Sequence, residues 1–549
     1  MKTLVVIPAR GGSKGIPRKS LRPLGGKPMI YYAINAALQA RSVDEVVVTT
    51  DDDEIALFAS RFGAMVVKRP DRLANDVATL DPVIVHAVDV VESESGKTFD
   101  LVVTVQPTSP LVKSEDIDSA LCLFDEPGVD TVLSVVDDRH LCWGVDGIKA
   151  VPRYLKRVNR QQLPANYKET GAIIACRRKQ LKSGTRIGQN VALHEISHER
   201  SFDIDTFADL YLCEAMLTRS RLVFTVIGRP ELGMGHAYRI ALLAHELVRH
   251  ELIIVCEAED QLAYDYLSKL NYQILMVEKG KLLDRVIELQ PALVVNDILD
   301  TDFEYIKALK SAGIRVVNFE DMGPGSAEAD LVINALYSHQ VSSGQHLVGP
   351  RYFCLRDEFL HLPEMPKKER MERVLLTFGG TDENNLSVKT LLSILPVCVA
   401  EDIEIDIVVG PGYPHTETLA AEVLASGFNK ISYSSSVSNI SDHMINADVA
   451  ITSGGRTVFE LAAIGVPTIV VCQNERETEH SFASNENGII NLGLCDQVSE
   501  QLIADTFAKV LQDNEFRQTL LAKIKAIDLS GGKARVIGEI NGLLSGVRR

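Results

Sequence analysis

The first residues whose types and spacing indicate chemistry form the loop after the first apolar run. Residues 4–7 are too few for a helix and stop at Pro8, so they predict a buried strand of an α/β sheet. Glycines let backbone amides approach a polyphosphate closely, and cations between them neutralise its charge. The following loop has both, at Arg10, Gly11, Gly12, Lys14, Gly15, Arg18 and Lys19. It is neither a P-loop nor a dinucleotide fingerprint. The loop indicates a nucleoside triphosphate site, and an ordinary basic surface turn is the alternative.

An acidic pair, Asp203 and Asp205, lies in the segment SFDIDT. In an extended segment residues i and i+2 point to the same side, so both carboxylates can face one hard cation such as Mg²⁺. An isolated pair of this kind is more often a turn or a helix cap. Taken alone, the pair therefore leaves a metal site, a turn and a helix cap all open.

Just before this pair, His194 and His198 fit the HExxH pattern of zinc proteases. That pattern needs a helix, in which the two histidines lie one turn apart. The segment instead lies beside the β-favouring residue Val191, and no third ligand follows at a recognisable spacing. We therefore predict that this motif is not a zinc site.

A second glycine-rich loop, containing Gly233, Gly235 and His236, follows an apolar strand at residues 221–228. Further along, Ser453, Gly454 and Gly455 form a turn between a strand and a helix. Free amides at a helix N-terminus bind a diphosphate readily. The alternatives are an ordinary loop histidine and glycine turns that serve only tight packing.

The composition of the 549 residues fits a globular protein, with 46% hydrophobic and 24% charged residues. The formal net charge of -17 argues against a nucleic acid or an anionic membrane as the main partner. No apolar run is long enough for a signal-peptide core or a membrane span, so we expect a cytoplasmic protein. The nine cysteines include no CxxC pair, which argues against disulfides and a thiolate zinc site.

Strand and helix patterns alternate along the chain, beginning with a helix at residues 28–40 and a strand at 45–49. This order predicts parallel crossovers, with ligands at the carboxyl ends of the strands. The pattern restarts near residues 218–221 and again at 374. We predict an α/β fold with a Rossmann-like domain over 1–218 and a two-lobed domain over 219–549, the lobes spanning about 221–358 and 370–549.

The first half resembles the CMP-sugar synthetases, the acylneuraminate cytidylyltransferase family. The resemblance is carried by IPARGGSKGIPRKS at residues 7–20, RPDRLAND at 69–76, QPTSPL at 106–111, RQQLP at 160–164 and the acidic pair, all in the family's order. It implies a GT-A-like nucleotidyltransferase fold, often dimeric. It also implies that the protein transfers CMP from CTP to an acidic nine-carbon keto-sugar and releases diphosphate, with Mg²⁺ as cofactor.

The resemblance also implies roles for individual residues. The catalytic residues would be Arg10, Lys19 and Asp205, with Asp203 and Asp205 as metal ligands. The nucleotide would contact Gly11, Gly12, Ser13, Lys14, Ser20 and Arg69. The sugar would contact Gln106, Thr108, Ser109, Arg160, Gln162 and Tyr167. The chain departs from the family at Ser20 and Thr170, where asparagine is usual, and at Val112, where arginine is common.

The second half resembles the nucleotide-sugar hydrolase of pseudaminic acid synthesis, a relative of the GT-B glycosyltransferases. The matching segments are GMGHAYR at residues 233–239, GPRYFCLR at 349–356 and FGGTD at 378–382. The resemblance implies hydrolysis of a UDP-linked diacetamido-trideoxyhexose, with His236 positioning or deprotonating water. The sugar would contact Gly235, Arg239 and Asn474, and UDP would contact Ser453, Gly454, Gly455 and Glu460.

Together the two halves predict a bifunctional enzyme of nonulosonic acid synthesis. The partners would be CTP, an acidic nine-carbon sugar and a UDP-sugar, and the protein would form a homodimer without nucleic acid or membrane. Two alternatives remain for the second half: a GT-B glycosyltransferase, and a nucleotide-sugar-binding domain without turnover.

Overall fold

The computed structural model describes residues 1–12, 15–75, 78–230, 232–338, 345–360, 370–435, 437 and 439–545. The chain divides into two compact units, Met1–Arg219 and Ser220–Arg549. Within these described ranges, every helix is too short or too polar to cross a lipid bilayer.

The first unit is built on one seven-stranded sheet with helices on both faces. The sheet order is β11-β7-β10-β6-β1-β4-β5. The strands of this unit, in chain order, are β1 Thr3–Pro8, β2 Pro23–Leu24, β3 Lys27–Pro28, β4 Glu45–Thr50, β5 Met65–Lys68, β6 Leu101–Val105, β7 Thr131–Asp137, β8 Trp143–Asp146, β9 Lys149–Pro152, β10 Tyr167–Arg177 and β11 Val191–Glu195. The helices are α1 Met29–Gln39, α2 Asp53–Arg61, α3 Leu80–Ser95, α4 Ser114–Cys122, α5 Arg178–Lys182 and α6 Phe207–Leu217.

The central strand β1 is apolar on both faces because helices cover both sides of the sheet. It pairs in parallel with β4 and β6, with Val5 opposite Val46 and Val103. The carboxyl ends of these three strands therefore lie side by side. The glycine-rich loop leaves β1 at this edge, and the Gln106 turn leaves β6 there.

Two features interrupt the parallel pattern. Strand β10 runs antiparallel to both β6 and β7. The short strands β8 and β9 form a separate hairpin, and β2 and β3 form another.

The second unit begins with a seven-stranded, fully parallel sheet in the order β14-β13-β12-β15-β16-β17-β18. Its strands are β12 Arg221–Val226, β13 Glu251–Glu257, β14 Ile274–Val277, β15 Leu293–Asp297, β16 Arg315–Phe319, β17 Leu331–Asn334 and β18 His346–Val348. Its helices are α7 Gly235–Glu246, α8 Gln261–Ser268, α9 Leu282–Leu289 and α10 Phe303–Ser311. We call this part the first lobe.

The second lobe has a six-stranded parallel sheet in the order β21-β20-β19-β22-β23-β24. Its strands are β19 Arg373–Thr377, β20 Glu404–Val409, β21 Ile431–Ser435, β22 Val449–Thr452, β23 Thr468–Cys472 and β24 Ile490–Leu494. The remaining helices are α11 Leu386–Glu401, α12 Thr416–Ala425, α13 Ile440–Asn446, α14 Thr457–Ile464, α15 Glu475–Thr478, α16 Glu500–Gln512, α17 Asn514–Lys525 and α18 Gly532–Ser545.

Helix α18 packs into the core of the first lobe. Its residues Val536 and Ile540 are fully buried in the core of the first lobe, beside Leu222 and Phe224. The Arg315 side chain, on β16, donates hydrogen bonds to the carbonyls of Leu543 and Leu544 near the end of this helix. The chain therefore returns to the first lobe at α18, within the range 370–549 that was predicted for the second lobe.

Candidate active sites

The glycine-rich loop of the first unit is shaped by close contacts with acidic segments. The amide of Gly11 donates to Asp51 Oδ1 at 3.1 Å, and a Cβ at this position would lie 2.7 Å from Asp52 Oδ2. A Cβ at Gly15 would lie 2.8 Å from the carbonyl oxygen of Asp205, so only glycine fits there. A Cβ at Gly12 would have no neighbour within 4 Å. Of the predicted nucleotide contacts, Ser13 and Lys14 lie outside the described residues.

The acidic pair lies against this loop. Lys19 Nζ donates to the carbonyl of Ile204 at 2.5 Å and to Asp205 Oδ1 at 3.0 Å. Ile204 is fully buried between the two aspartates, and its amide donates to the carbonyl of Thr108 at 2.8 Å. These bonds join three segments that are far apart in sequence: the loop after β1, the turn after β6 and the acidic pair before α6.

The donor set at this point fits Mg²⁺. The Asp205 side chain is 75% exposed while Lys19 is 14% exposed, so the carboxylate faces outward from a fixed base. Partial desolvation raises the pKa of Asp203, and the charge of Asp205 adds to that effect. Mg²⁺ in such sites is held by one or two carboxylates together with substrate phosphates and water. Within the described ranges no group of three metal-binding side chains converges.

Arg69 is buried near the base of the loop, at 5% exposure. Its Nη2 donates to the carbonyl of Thr49 at 2.9 Å, whereas its Nε has no hydrogen-bond partner. Burial lowers the pKa of Arg69, with Arg10 contributing further. Arg10 lies over the neighbouring segment, where its Nη1 is 3.5 Å from the carbonyl of Asn75. A buried donor without a partner is costly, and among the described residues the Arg69 Nε is such a donor.

The turn after β6 carries further polar groups. Thr108 Oγ1 is 3.4 Å from Gln106 Oε1, and Ser109 Oγ is buried without a partner. Gly171, which has a φ of 70°, leaves room for the Gln106 amide, since a Cβ would lie 3.3 Å from its Nε2. Ser20 is buried in the 3-10 helix that follows the loop.

The other predicted sugar contacts lie elsewhere in this unit. Arg160 and Gln162 are exposed in a 3-10 helix, and Tyr167 opens β10 at 45% exposure. Arg160 lines a cavity of about 310 Å³ together with Asp137 and His198. In the described ranges no hydrogen bond links Arg160 or Gln162 to the Gln106 turn, so the structure does not bring the whole predicted set together.

Two departures from the family pattern have structural explanations. Thr170 is buried, and its hydroxyl lies 2.7 Å from that of Ser134 on β7. Val112 is part of the apolar core, so no cation is present at that position. The HExxH motif does not form a helix: His194 lies on β11 and His198 in a 3-10 helix, as expected for a motif that is not a zinc site.

The glycine-rich loop of the second unit holds His236 beside a fully buried carboxylate, Asp297. His236 Nδ1 lies 2.6 Å from Asp297 Oδ1. Arg239, one turn further along α7, donates to both oxygens of the same carboxylate at 2.7 and 2.6 Å. Burial opposes ionisation of Asp297, but Arg239 and then His236 hold its pKa below the ordinary value. The carboxylate is therefore ionised and accepts the Nδ1 proton of His236.

Asp297 is not among the residues predicted from the sequence, although an acidic residue at the end of a buried strand was a usable signal. Arg239 was predicted to contact the sugar. Arg239 is 3% exposed and its Nη1 donates to Glu320 at 3.0 Å, so its guanidinium lies between two carboxylates. Burial raises the pKa of Glu320, which in turn accepts from the amides of Ala335 and Leu336. Arg239 thus holds the same carboxylate that contacts His236.

The turn after β22 was predicted to hold a diphosphate, but a carboxylate of the protein already occupies part of it. Glu477 Oε2 accepts from the amide of Gly454 at 3.0 Å and from that of Gln473 at 2.7 Å. Asn474, predicted to face the sugar, caps α15 by accepting from the Glu477 amide at 3.1 Å. Glu477 was not among the residues predicted from the sequence, because nothing near it in the chain indicates this contact.

Glu460 is likewise engaged within the protein. It is 5% exposed, and its Oε1 accepts from Arg356 Nε at 3.0 Å. The predicted ribose contact would have to share or replace this ion pair. Of the residues predicted to hold UDP, Ser453 is buried and Gly455 is half-buried at the start of the turn that leads into α14.

Glu477 should give the second unit a measurable pH dependence. Burial raises its pKa from 4.5 to about 7, so the folded protein binds this proton more tightly than the unfolded chain does. Stability from this group is present below pH 4.5 and is lost as the pH rises to about 7, by roughly 3 kcal/mol. Glu477→Gln cannot ionise, so its free energy of unfolding relative to wild type should rise across this range. Urea unfolding of both proteins at pH 5, 6, 7 and 8 measures the difference, and parallel profiles would contradict the prediction.

The architecture is that of two α/β parts with parallel sheets, a nucleotidyltransferase-like fold followed by a GT-B glycosyltransferase-like fold. The predicted fold class is confirmed. Residues 4–219 match the family model described as Cytidylyltransferase, and residues 374–529 match the one described as Glycosyltransferase family 28 C-terminal domain. The first match lies within the first unit and the second match within the second lobe, so each covers less than half of the chain.

Individual relatives agree with the first match. The chain is 30% identical over 224 residues to N-acylneuraminate cytidylyltransferase A of Danio rerio, which covers 39% of the chain and 50% of that protein. It is 39% identical over 121 residues to the pseudaminic acid cytidylyltransferase of Campylobacter jejuni, which covers 22% of the chain and 52% of that protein. The chain thus spans about half the length of these relatives. Among solved structures, Acinetobacter baumannii MurG aligns at 13% identity over 59% of the chain and 99% of its own length, with a TM-score of 0.43.

Proposed function

We propose that the first unit transfers CMP from CTP to an acidic nine-carbon keto-sugar. The observation that carries the proposal is the contact of Lys19 with Asp205 beneath the glycine-rich loop. It sets a phosphate-binding loop beside a carboxylate pair suited to magnesium, next to the polar turn of Gln106. The named relatives act on sugars of this chemical class, which supports the same choice here.

The residues of this unit would act mainly by alignment and charge neutralisation. Arg10, Lys19 and the loop amides hold the triphosphate, and Arg69 Nε binds an acceptor on the nucleotide. The anomeric hydroxyl oxygen of the sugar bonds to the α-phosphorus as the bond from that phosphorus to the diphosphate oxygen breaks, and the hydroxyl proton passes to solvent water. Magnesium held by Asp203 and Asp205 would supply charge neutralisation on the phosphate oxygens.

For the second unit we propose hydrolysis of a UDP-linked diacetamido-trideoxyhexose. The support is the pairing of His236 with Asp297, because Asp297 accepts the Nδ1 proton and leaves Nε2 free to act as a base. A water oxygen bonds to the anomeric carbon, the bond from that carbon to the phosphate oxygen breaks, and His236 takes the water proton. UDP and a free sugar are the products.

A second candidate, transfer of the sugar to an acceptor, is favoured by the family 28 match. The same base would then deprotonate an acceptor hydroxyl instead of water. Together the units would make a bifunctional enzyme of nonulosonic acid synthesis that performs an early and a late step.

Product analysis tests both halves. The protein is incubated with CTP, Mg²⁺ and a panel of nine-carbon keto-acids, and separately with UDP-diacetamido sugars with and without sugar acceptors. We expect a CMP-sugar and diphosphate from the first reaction, and UDP with free sugar from the second. If UDP is released only when a sugar acceptor is present, the second unit transfers the sugar and does not hydrolyse the UDP-sugar. If no CMP-sugar forms, the first proposal is refuted.

A further inference from the structure

In the described ranges, Arg456 of the second unit forms no ion pair with a carboxylate. It lies beside the loop that holds His236, the proposed base. Arg456 follows the Ser453 turn at the start of α14. Its Nη2 donates to the carbonyl of Cys354 at 2.9 Å, and its guanidinium carbon lies 4.6 Å from the centre of the Phe353 ring. Its Nη1 is buried and has no hydrogen-bond partner. Within the described ranges no carboxylate forms an ion pair with it.

The position of Arg456 connects the two lobes. A Cβ at Gly235 would lie 2.9 Å from Arg456 Cδ, so the arginine of the second lobe packs on the glycine that precedes His236 in the first lobe. This contact explains why residue 235 is glycine, although its φ is not in the left-handed region. The cation is therefore adjacent to the place where the glycosidic bond of the substrate would break.

The surroundings of Arg456 favour an anion there. Burial lowers its pKa to about 10, and the charge of Arg239 adds to that effect. A buried guanidinium near a second one, with an unpaired donor, gains most from a ligand that brings negative charge. The neighbouring amide of Gly454 is not available to the anion, because it already donates a hydrogen bond to Glu477.

We propose that Arg456 binds the diphosphate of a nucleotide-sugar and, after cleavage, of the departing nucleoside diphosphate. This inference rests on the proposed function of the second unit and adds to it a residue that the sequence analysis did not assign. The planar guanidinium of arginine can donate two hydrogen bonds to phosphate oxygens. In Arg456, Nη2 donates to the carbonyl of Cys354, and Nη1 has no partner among the described residues.

The test compares Arg456→Met and Arg456→Lys with wild type by calorimetric titration of UDP, ADP, inorganic diphosphate and uridine. We expect Arg456→Met to weaken UDP and diphosphate binding between about 10-fold and 100-fold and to leave uridine binding unchanged. Arg456→Lys keeps the charge but not the fork, so an intermediate loss is expected. Diphosphate bound by residues 1–219 contributes equally to all three proteins and cancels in the difference. Arg285→Met, which removes an exposed arginine paired with Glu288, is the matched control.

Each outcome bears on the inference. UDP and diphosphate binding by Arg456→Met within twofold of wild type, at an unchanged unfolding temperature, would overturn it while leaving the proposed function standing. Equal weakening of UDP and uridine would also overturn it, since the phosphates would not be responsible. An Arg456-dependent diphosphate site without preference for UDP over ADP would support the inference and refute the UDP-sugar function. If Arg456→Met does not fold, Arg456→Lys decides by the same comparison of UDP with uridine.

Discussion

Asp205→Asn should reduce magnesium-dependent diphosphate release from CTP and an acidic sugar by at least about 100-fold. The substitution keeps the size of the side chain and removes its charge. Lys19 then loses its ionic partner at 3.0 Å, and the proposed magnesium site loses one of its two carboxylates. The measurement is the rate of diphosphate release as a function of magnesium concentration.

Asp53→Asn is the matched control for this experiment. Asp53 is an exposed aspartate of the same unit, and its carboxylate forms an ion pair with Lys68. It should leave the rate unchanged. If Asp205→Asn retained the wild-type rate and magnesium response, the carboxylate pair would have no part in the reaction.

His236→Ala should lower the release of UDP from a UDP-sugar by about 100-fold to 10,000-fold. UDP affinity should change little, because the histidine is assigned to proton transfer and not to holding the nucleotide. The readout is the turnover number, measured beside UDP binding by titration. The size of the effect follows from loss of the group whose Nδ1 is fixed by Asp297.

The chain offers a closely matched control. His443 Nδ1 also lies 2.7 Å from a buried carboxylate, Asp406, in the second lobe. His443→Ala removes a similar pair away from the glycine-rich loop, so UDP release should be retained. Equal losses in the two variants would indicate a general effect on folding, and an active His236→Ala would exclude the histidine as the base.

The strands and the two glycine-rich loops could be predicted from the sequence because they depend on neighbours in the chain. Residues 4–7 form a strand since an apolar run between turns has few other ways to bury itself. The position of the acidic pair near Lys19 was predicted only through the order of family segments. The structure then shows what that order implies, a contact across 186 positions.

The remaining features depend on contacts that no local pattern encodes. Glu477 lies in a charged stretch typical of a solvated helix start, yet it folds back onto the Gly454 amide. Arg456 follows a glycine turn, and its importance comes from Gly235 more than 200 residues earlier. Asp297 ends an apolar strand, and only the arrangement of α7 above that strand brings His236 to it.

The return of α18 to the first lobe has a consequence for synthesis of the protein. Residues Leu222 and Phe224 are made early, but the helix that completes their apolar surroundings comes from residues 532–545. The ribosome must therefore translate the whole second lobe before the first lobe can close its core. Until then, the apolar residues that α18 covers in the folded protein remain exposed on the nascent chain.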